Sequence, residues 1–88
     1  MGMFTGLVSD VGEVVARDGG VFTIRTSYGA DTIPPGASIC CDGVCLTAKD
    51  VAADPQGARF SVDVSNETRS KTTLESWQPG RKINLERS

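Results

Sequence analysis

The sequence predicts a small, mostly antiparallel all-β domain, closed or nearly closed into a barrel, with one short helix. Short runs of alternating apolar and polar residues recur along the chain, separated by turn residues. Ten glycines in 88 residues argue against an all-α fold. A closed barrel would leave no unpaired edge strand. A chain of this length buries only about 60–65% of its unfolded surface, so we expect one core and a ligand site at the surface or against a partner.

The first half of the chain predicts two strands and a loop. Residues 4–15 are rich in β-forming residues, and Gly19-Gly20 then makes a turn. Residues 21–26 alternate strictly, which is typical of a half-buried strand. Pro34-Pro35-Gly36 cannot lie in a central strand, so a loop is expected there.

The middle of the chain predicts a hairpin. Residues 37–41 and 44–51 are strand-like, and Asp42-Gly43 between them is a strong signal for a two-residue hairpin turn. Residues 53–57 contain Pro55 and predict another turn.

The last third predicts a strand, a short helix and a final strand. Phe60, Val62 and Val64 alternate with polar residues. Residues 65–77 are polar with scattered apolar positions and open on a candidate N-cap, so one short helix is expected there. The final strand contains Ile83 and Leu85, which brings the expected number of strands to about six.

Composition excludes several classes of function. The net charge is −2 with no run of one sign, and the five aromatic residues are scattered, so a nucleic-acid-binding barrel is disfavoured. No apolar stretch approaches the roughly 18 residues that span a bilayer, and the first residues have no signal-peptide pattern. A cytoplasmic location is therefore expected. The chain contains no histidine, which excludes Ser-His-Asp and Cys-His catalysis and the mixed His/Cys zinc sites within it.

Three cysteines lie within six residues, at Cys40, Cys41 and Cys45. An odd number without a secretion signal predicts reduced thiols. There is no C-x-x-C pair and no fourth ligand, so no metal site is expected. Cys40 or Cys41 is expected to act as a small buried hydrophobe.

Two local patterns have a chemical interpretation beside a structural one. In a strand, Cys45 and Thr47 share one face and Leu46 takes the other, so a thiol and a hydroxyl would lie together. Ordinary hairpin packing explains this pattern as well. Residues 63–68 are predicted to join a strand end to a helix start, where free backbone N–H groups suit a ligand with carbonyl oxygens. A helix cap with a solvated acidic turn is the alternative.

Five short segments in order resemble the signatures of the riboflavin synthase family of lumazine-binding proteins. They are Met3–Val8, Gly36–Ile39, Gly43–Thr47, Asp63–Thr68 and Gly80–Arg87. The resemblance covers residues 3 to 87 and implies a six-stranded antiparallel Greek-key barrel. It matches the first of the family's two tandem barrels, so the chain is expected to be a single lumazine- or flavin-binding domain over residues 1–88. The second barrel, with its Gly-His signature, is absent from this sequence.

The resemblance also implies a function. The family enzyme transfers a four-carbon unit between two molecules of 6,7-dimethyl-8-ribityllumazine, giving riboflavin and a ribitylamino-pyrimidine, without a metal or cofactor. One barrel is therefore expected to bind riboflavin, FMN or the lumazine, to pair as a homodimer, and to be inactive or weakly active alone. A homodimer that is fully active is one alternative. A non-catalytic flavin- or lumazine-binding antenna or carrier is another.

The resemblance assigns the site residue by residue. Cys45 corresponds to a family cysteine suspected of assisting catalysis, so it is the one tentative catalytic residue. The remaining positions are expected to bind the ligand together with Cys45: Gly6, Leu7, Val8, Ser38, Leu46, Thr47, Asp63, Val64, Ser65, Asn66, Glu67 and Thr68.

Overall fold

Seven antiparallel strands form one curled sheet within the described part of the chain. The computed structural model describes residues 8–64 and 73–87. The strands are β1 (Asp10–Asp18), β2 (Val21–Thr26), β3 (Ser38–Cys41), β4 (Val44–Thr47), β5 (Lys49–Asp54), β6 (Gly57–Asp63) and β7 (Lys82–Arg87). Their order in the sheet is β4-β3-β7-β1-β2-β6-β5.

The sheet must curl because its two edge strands are consecutive in the chain. Only Ala48 separates β4, at one edge, from β5, at the other. Ala48 is fully buried, its N–H donates to the carbonyl of Ala37, and its carbonyl accepts the N–H of Gly36. Strand β4 consequently approaches β6 across the opening, and the sheet forms a half-barrel.

Three two-residue turns determine the register of the hairpins. Gly19-Gly20 joins Asp18 to its partner Val21 in the β1–β2 hairpin. Asp42 and Gly43 both have positive φ, 48° and 86°, which is the type I′ geometry whose twist matches that of flanking strands. Pro55-Gln56 closes the β5–β6 hairpin, where a carboxylate oxygen of Asp54 accepts the Gln56 N–H at 3.0 Å.

The core fills the concave side of the sheet. Alternation in β2 and β6 turns Phe22, Ile24, Phe60 and Val62 inward, as their period-2 pattern predicts. Apolar burial of this kind is the main favourable contribution to folding. Among the residues that the structure describes, the largest fully buried side chains are Trp77, Phe22, Phe60, Ile24, Ile39, Leu74, Ile83 and Leu85.

Trp77 and Arg17 fasten the segment before β7 to the sheet. The Trp77 ring packs edge-on against Phe22, with ring centroids 5.6 Å apart. The Arg17 guanidinium donates to the main-chain carbonyls of Glu75 and Trp77, at 2.8 and 3.1 Å. It also lies 5.0 Å from the centroid of Phe22, so one side chain of β1 holds this connection in place.

The all-β antiparallel class is confirmed, and two details of the prediction are wrong. The expected strand 44–51 is two strands, because the chain turns from one sheet edge to the other at Ala48, so the described residues contain seven strands rather than six. Within the predicted helix 65–77, residues 65–72 lie outside the described part, and Thr73–Ser76 is a single 3₁₀ turn. No α-helix occurs in 8–64 or 73–87, and none of the helices there is long and apolar enough to cross a membrane.

Candidate functional site

The β3–β4 hairpin presents a thiol and a hydroxyl on its outer face. Cys45 and Thr47 are exposed, whereas Leu46 between them is buried with 9% of its surface accessible. The predicted division of these three residues between two faces is therefore confirmed. Ser38 is the register partner of Thr47, and Cys40 is the partner of Cys45, so both join the same outer face from β3.

The end of β6 comes close to this face through Lys49. Lys49 follows Thr47 by two residues and is paired with Ser61 of β6. Its ammonium nitrogen lies 3.5 Å from a carboxylate oxygen of Asp63. Both side chains are largely exposed, so the ion pair contributes at most about 1 kcal/mol. Through Lys49, the chain that leaves β4 thus reaches Asp63 at the end of β6.

The other predicted ligand-binding residues are placed differently or lie outside the described part. Val64 is buried, with 3% of its surface accessible, immediately after Asp63. Val8 is exposed and lies beside β7 rather than beside Thr47. Gly6 and Leu7, and the positions Ser65, Asn66, Glu67 and Thr68, fall outside the described residues.

A cavity of about 470 Å³ lies next to the hairpin, against the outer side of β7. Asp42 spans part of it: the N–H of Asp42 donates to the Asn84 carbonyl, and the Asn84 N–H donates to an Asp42 carboxylate oxygen at 2.6 Å. The Arg81 guanidinium lies 3.8 Å from the same carboxylate. The sequence assigned no chemistry to this last strand. The cavity is lined by Val8, Cys40, Asp42, Gly43, Arg81, Asn84, Leu85 and Glu86.

The three cysteines lie in three different environments. Cys41 is fully buried among the inward side chains, and this burial raises the pKa of its thiol to about 12. Cys40 is half-buried, and burial, with the negative charge of Glu86 adding to it, raises the pKa of its thiol as well. Cys45 is exposed. All three are free thiols, and only Cys41 is the small buried hydrophobe that was expected at 40 or 41.

The sequence analysis missed the pairing of Cys40 with Cys45. The signal was available, because a two-residue Asp42-Gly43 turn makes residues 41 and 44 partners and therefore 40 and 45 partners as well. Within the described ranges, no three His, Cys, Asp or Glu side chains are arranged to hold a metal ion.

Comparison with known proteins identifies relatives that match nearly the whole chain. Residues 5–88 match the lumazine binding domain family. The chain belongs to this family. Riboflavin synthase of Brucella abortus (strain 2308) is 46% identical over 91 residues, which cover 98% of this chain and 45% of that protein. Riboflavin synthases of Mycobacterium bovis and Bacillus subtilis are 41% and 34% identical, again over 98% of this chain but over 43% and 40% of their own lengths.

The chain therefore spans about half the length of the curated relatives it matches. Membership of the lumazine-binding family, expected from five short segments, is confirmed. The coverage agrees with the expectation that this lumazine-binding domain corresponds to one half of a riboflavin synthase.

Proposed function

We propose that this domain binds one molecule of riboflavin or 6,7-dimethyl-8-ribityllumazine on the outer face of the β3–β4 hairpin, as the N-terminal half of a riboflavin synthase. The observation that supports it is the exposed pair Cys45 and Thr47, two residues before the Lys49 that contacts Asp63 at the end of β6, in a chain that belongs to the lumazine-binding family. The full-length synthases of this family would combine two such lumazines into riboflavin and a ribitylamino-pyrimidine.

The chemistry of the hairpin suits the edge of a flat heterocycle. Thr47 and Ser38 each carry a hydroxyl that donates and accepts hydrogen bonds, and Cys45 adds a polarisable thiol. Leu46 would contribute its main chain, because its side chain is buried on the opposite face. Asp63 and the following residues to Thr68 would meet the carbonyl and N–H edge and the ribityl chain, with Gly6 and Leu7 against the ring.

Binding is tested by titrating the 88-residue protein with riboflavin and following flavin fluorescence, with an inert protein as the blank. We expect a saturable change with one flavin per chain. Replacing Thr47 by Ala, or Cys45 by Ser, is expected to weaken binding about tenfold, the effect of losing one or two contacts. Thr23→Ala is the matched control, since Thr23 lies in β2 outside the predicted site. Equal affinities for all four proteins would contradict the proposed site.

Catalysis needs two lumazines held face to face, and one barrel supplies one site. Orientation of two bound reactants contributes a large part of such a barrier. We therefore expect the 88-residue protein to bind the lumazine but to release little or no riboflavin. The readout is riboflavin absorbance over time at high protein concentration, with Cys45→Ser as the comparison. Rapid, Cys45-dependent production would show instead that two copies assemble a complete active site.

A further inference from the structure

We propose that Cys40 and Cys45 form an oxidisable cross-strand dithiol that peroxide converts into an intramolecular disulfide on the surface of the β3–β4 hairpin. The two residues are direct register partners on adjacent antiparallel strands. Neither is in the inner core: Cys45 is exposed and Cys40 is half-buried. The same hairpin carries Cys41, which is turned into the core and provides an internal comparison.

The turn determines which kind of strand pair the two cysteines occupy. A type I′ turn at Asp42-Gly43 closes on the pair Cys41 and Val44, which carries the turn's main-chain hydrogen bond. Pairs alternate along an antiparallel ladder, so the next pair, Cys40 and Cys45, is a non-hydrogen-bonded one. In such pairs the Cα atoms are about 4.5 Å apart and the side chains are at their closest. A disulfide accepts Cα separations of about 4.4–6.8 Å, so the bond can form without separating the strands.

The chemical step follows from the different exposure of the two thiols. The Cys45 thiolate attacks one peroxide oxygen, the O–O bond breaks, and Cys45 becomes a sulfenic acid while hydroxide leaves. The Cys40 thiolate then attacks the Cys45 sulfur, the S–S bond forms, and a second hydroxide leaves. The two thiol protons convert the hydroxides to water. Overall, two thiols and one hydrogen peroxide give one disulfide and two waters.

Cys41 cannot substitute for Cys40 in the folded protein. Its side chain lies on the opposite face of β3, and its cross-strand partner is Val44. Burial also raises the pKa of its thiol to about 12, which leaves almost no thiolate at neutral pH. Oxidation of the folded chain is therefore expected to consume two of the three thiols and to spare Cys41.

A consequence for the ligand site rests on the function proposed above. Cys45 is one of the side chains assigned to the edge of the bound ring, and a disulfide would hold its sulfur against β3. Oxidised protein is then expected to bind riboflavin about tenfold more weakly than reduced protein, the same loss that is expected for Cys45→Ser. Thiol loss is measured without flavin, so failure of the flavin prediction alone would count against the ligand site and not against the dithiol.

The test treats folded protein with a slight excess of hydrogen peroxide, blocks the remaining thiols, and cleaves on the amino side of aspartate. Cleavage before Asp31, Asp42 and Asp50 separates a peptide with Cys40 and Cys41 from a peptide with Cys45. We expect these two peptides to remain joined, to separate on reduction, and to stay joined in Cys41→Ser. In Cys40→Ser they are expected to separate, with Cys45 trapped by a sulfenic-acid reagent.

Three results would overturn the proposal: separate peptides from the oxidised parent protein, linked peptides in Cys40→Ser, or disulfides only between chains. Circular dichroism of each variant establishes that it is folded. The same oxidation in denaturant provides the comparison, since there Cys40 and Cys41 are expected to compete for Cys45 and to give a mixture.

Discussion

Asp10 is a carboxylate that accepts several hydrogen bonds at the start of β1. Its two oxygens accept from the Thr26 hydroxyl at 2.6 Å, the Ser27 hydroxyl at 2.7 Å and the Ser27 N–H at 2.9 Å. Partial burial alone would raise the pKa of Asp10, but these donors outweigh it and lower the pKa below its usual value of 3.8. The carboxylate joins the start of β1 to the end of β2.

Replacing Asp10 by Asn is expected to lower the free energy of unfolding by about 1–2 kcal/mol at pH 7, because an amide cannot accept all three bonds. A lowered folded-state pKa means that the stabilisation is complete above about pH 5 and is lost progressively as the pH falls through the folded-state value. The difference between parent and Asp10→Asn should therefore shrink in acid. Urea denaturation from pH 7 to pH 3 measures it. A constant difference across this range would mean that the charge of Asp10 contributes nothing.

The sequence correctly predicted which side chains are buried where alternation within a single strand decides it. Strict alternation placed Phe22 and Ile24 inward in β2 and separated Leu46 from Cys45 and Thr47 in β4. The break at Ala48 was not predictable in this way, because residues 44–51 are strand-like throughout and only the closure of the sheet makes the chain change edges there. The cavity beside β7 was missed for the same reason: Cys40 and Arg81 meet only after β3 and β7 pair.

The three hairpins determine the register of the sheet. Their glycines differ in how much space a side chain would have. Gly43 has φ +86° but open space where a Cβ would lie. Gly57 has φ +147°, and a Cβ there would lie 2.6 Å from the Thr26 carbonyl oxygen, inside the contact between β6 and the end of β2. Only the first of these positions can accept a side chain at the cost of backbone strain alone.

Gly43→Ala is expected to reduce the free energy of unfolding by about 1 kcal/mol, the ordinary cost of a left-handed non-glycine residue. Gly57→Ala is expected to cost about 3 kcal/mol or more, because steric conflict with main chain adds to an unfavourable φ. Urea denaturation of the two variants gives the comparison. Equal losses, or a larger loss for Gly43→Ala, would contradict the description of the β5–β6 hairpin.

Two large apolar side chains are exposed within 8–64 and 73–87, Val8 at 55% and Val11 at 58%. Val8 lies just before β1 and Val11 lies within it, and each lines a separate surface pocket. Covering such an exposed apolar side chain against another molecule is favourable. A second copy of the same domain is the partner expected from the sequence analysis.

We predict that the domain is a dimer at micromolar concentration and that Val11→Lys shifts it towards monomer by introducing a charge at the contact. Size-exclusion chromatography with light scattering measures the mass directly. Thr23→Ala serves again as a variant on the outside of the sheet that should leave the mass unchanged. A strict monomer at all concentrations would rule out self-association as a property of this domain.

At the scale of the whole molecule, closure of the half-barrel sets the surroundings of the β3–β4 hairpin. Strands β4 and β6 are not neighbours in the sheet order, and they approach each other across the opening because β4 runs directly into β5. The family resemblance correctly predicted a lumazine-binding domain from short segments, whereas the composition and alternation alone reached only a small antiparallel barrel. The ligand contacts remain predictions, since several of the assigned residues lie outside the described part of the chain.

The measurement that tests the central claim most directly is an amide ¹H–¹⁵N NMR titration of the domain with riboflavin. The proposed site predicts that the largest shifts occur at Cys45, Leu46 and Thr47 and across residues 63–68, with saturation at one flavin per chain. Shifts concentrated instead at Arg81 and Asn84 would place the ligand in the cavity beside β7 and contradict the assignment to the hairpin. An unchanged spectrum at saturating flavin would contradict binding by this domain altogether.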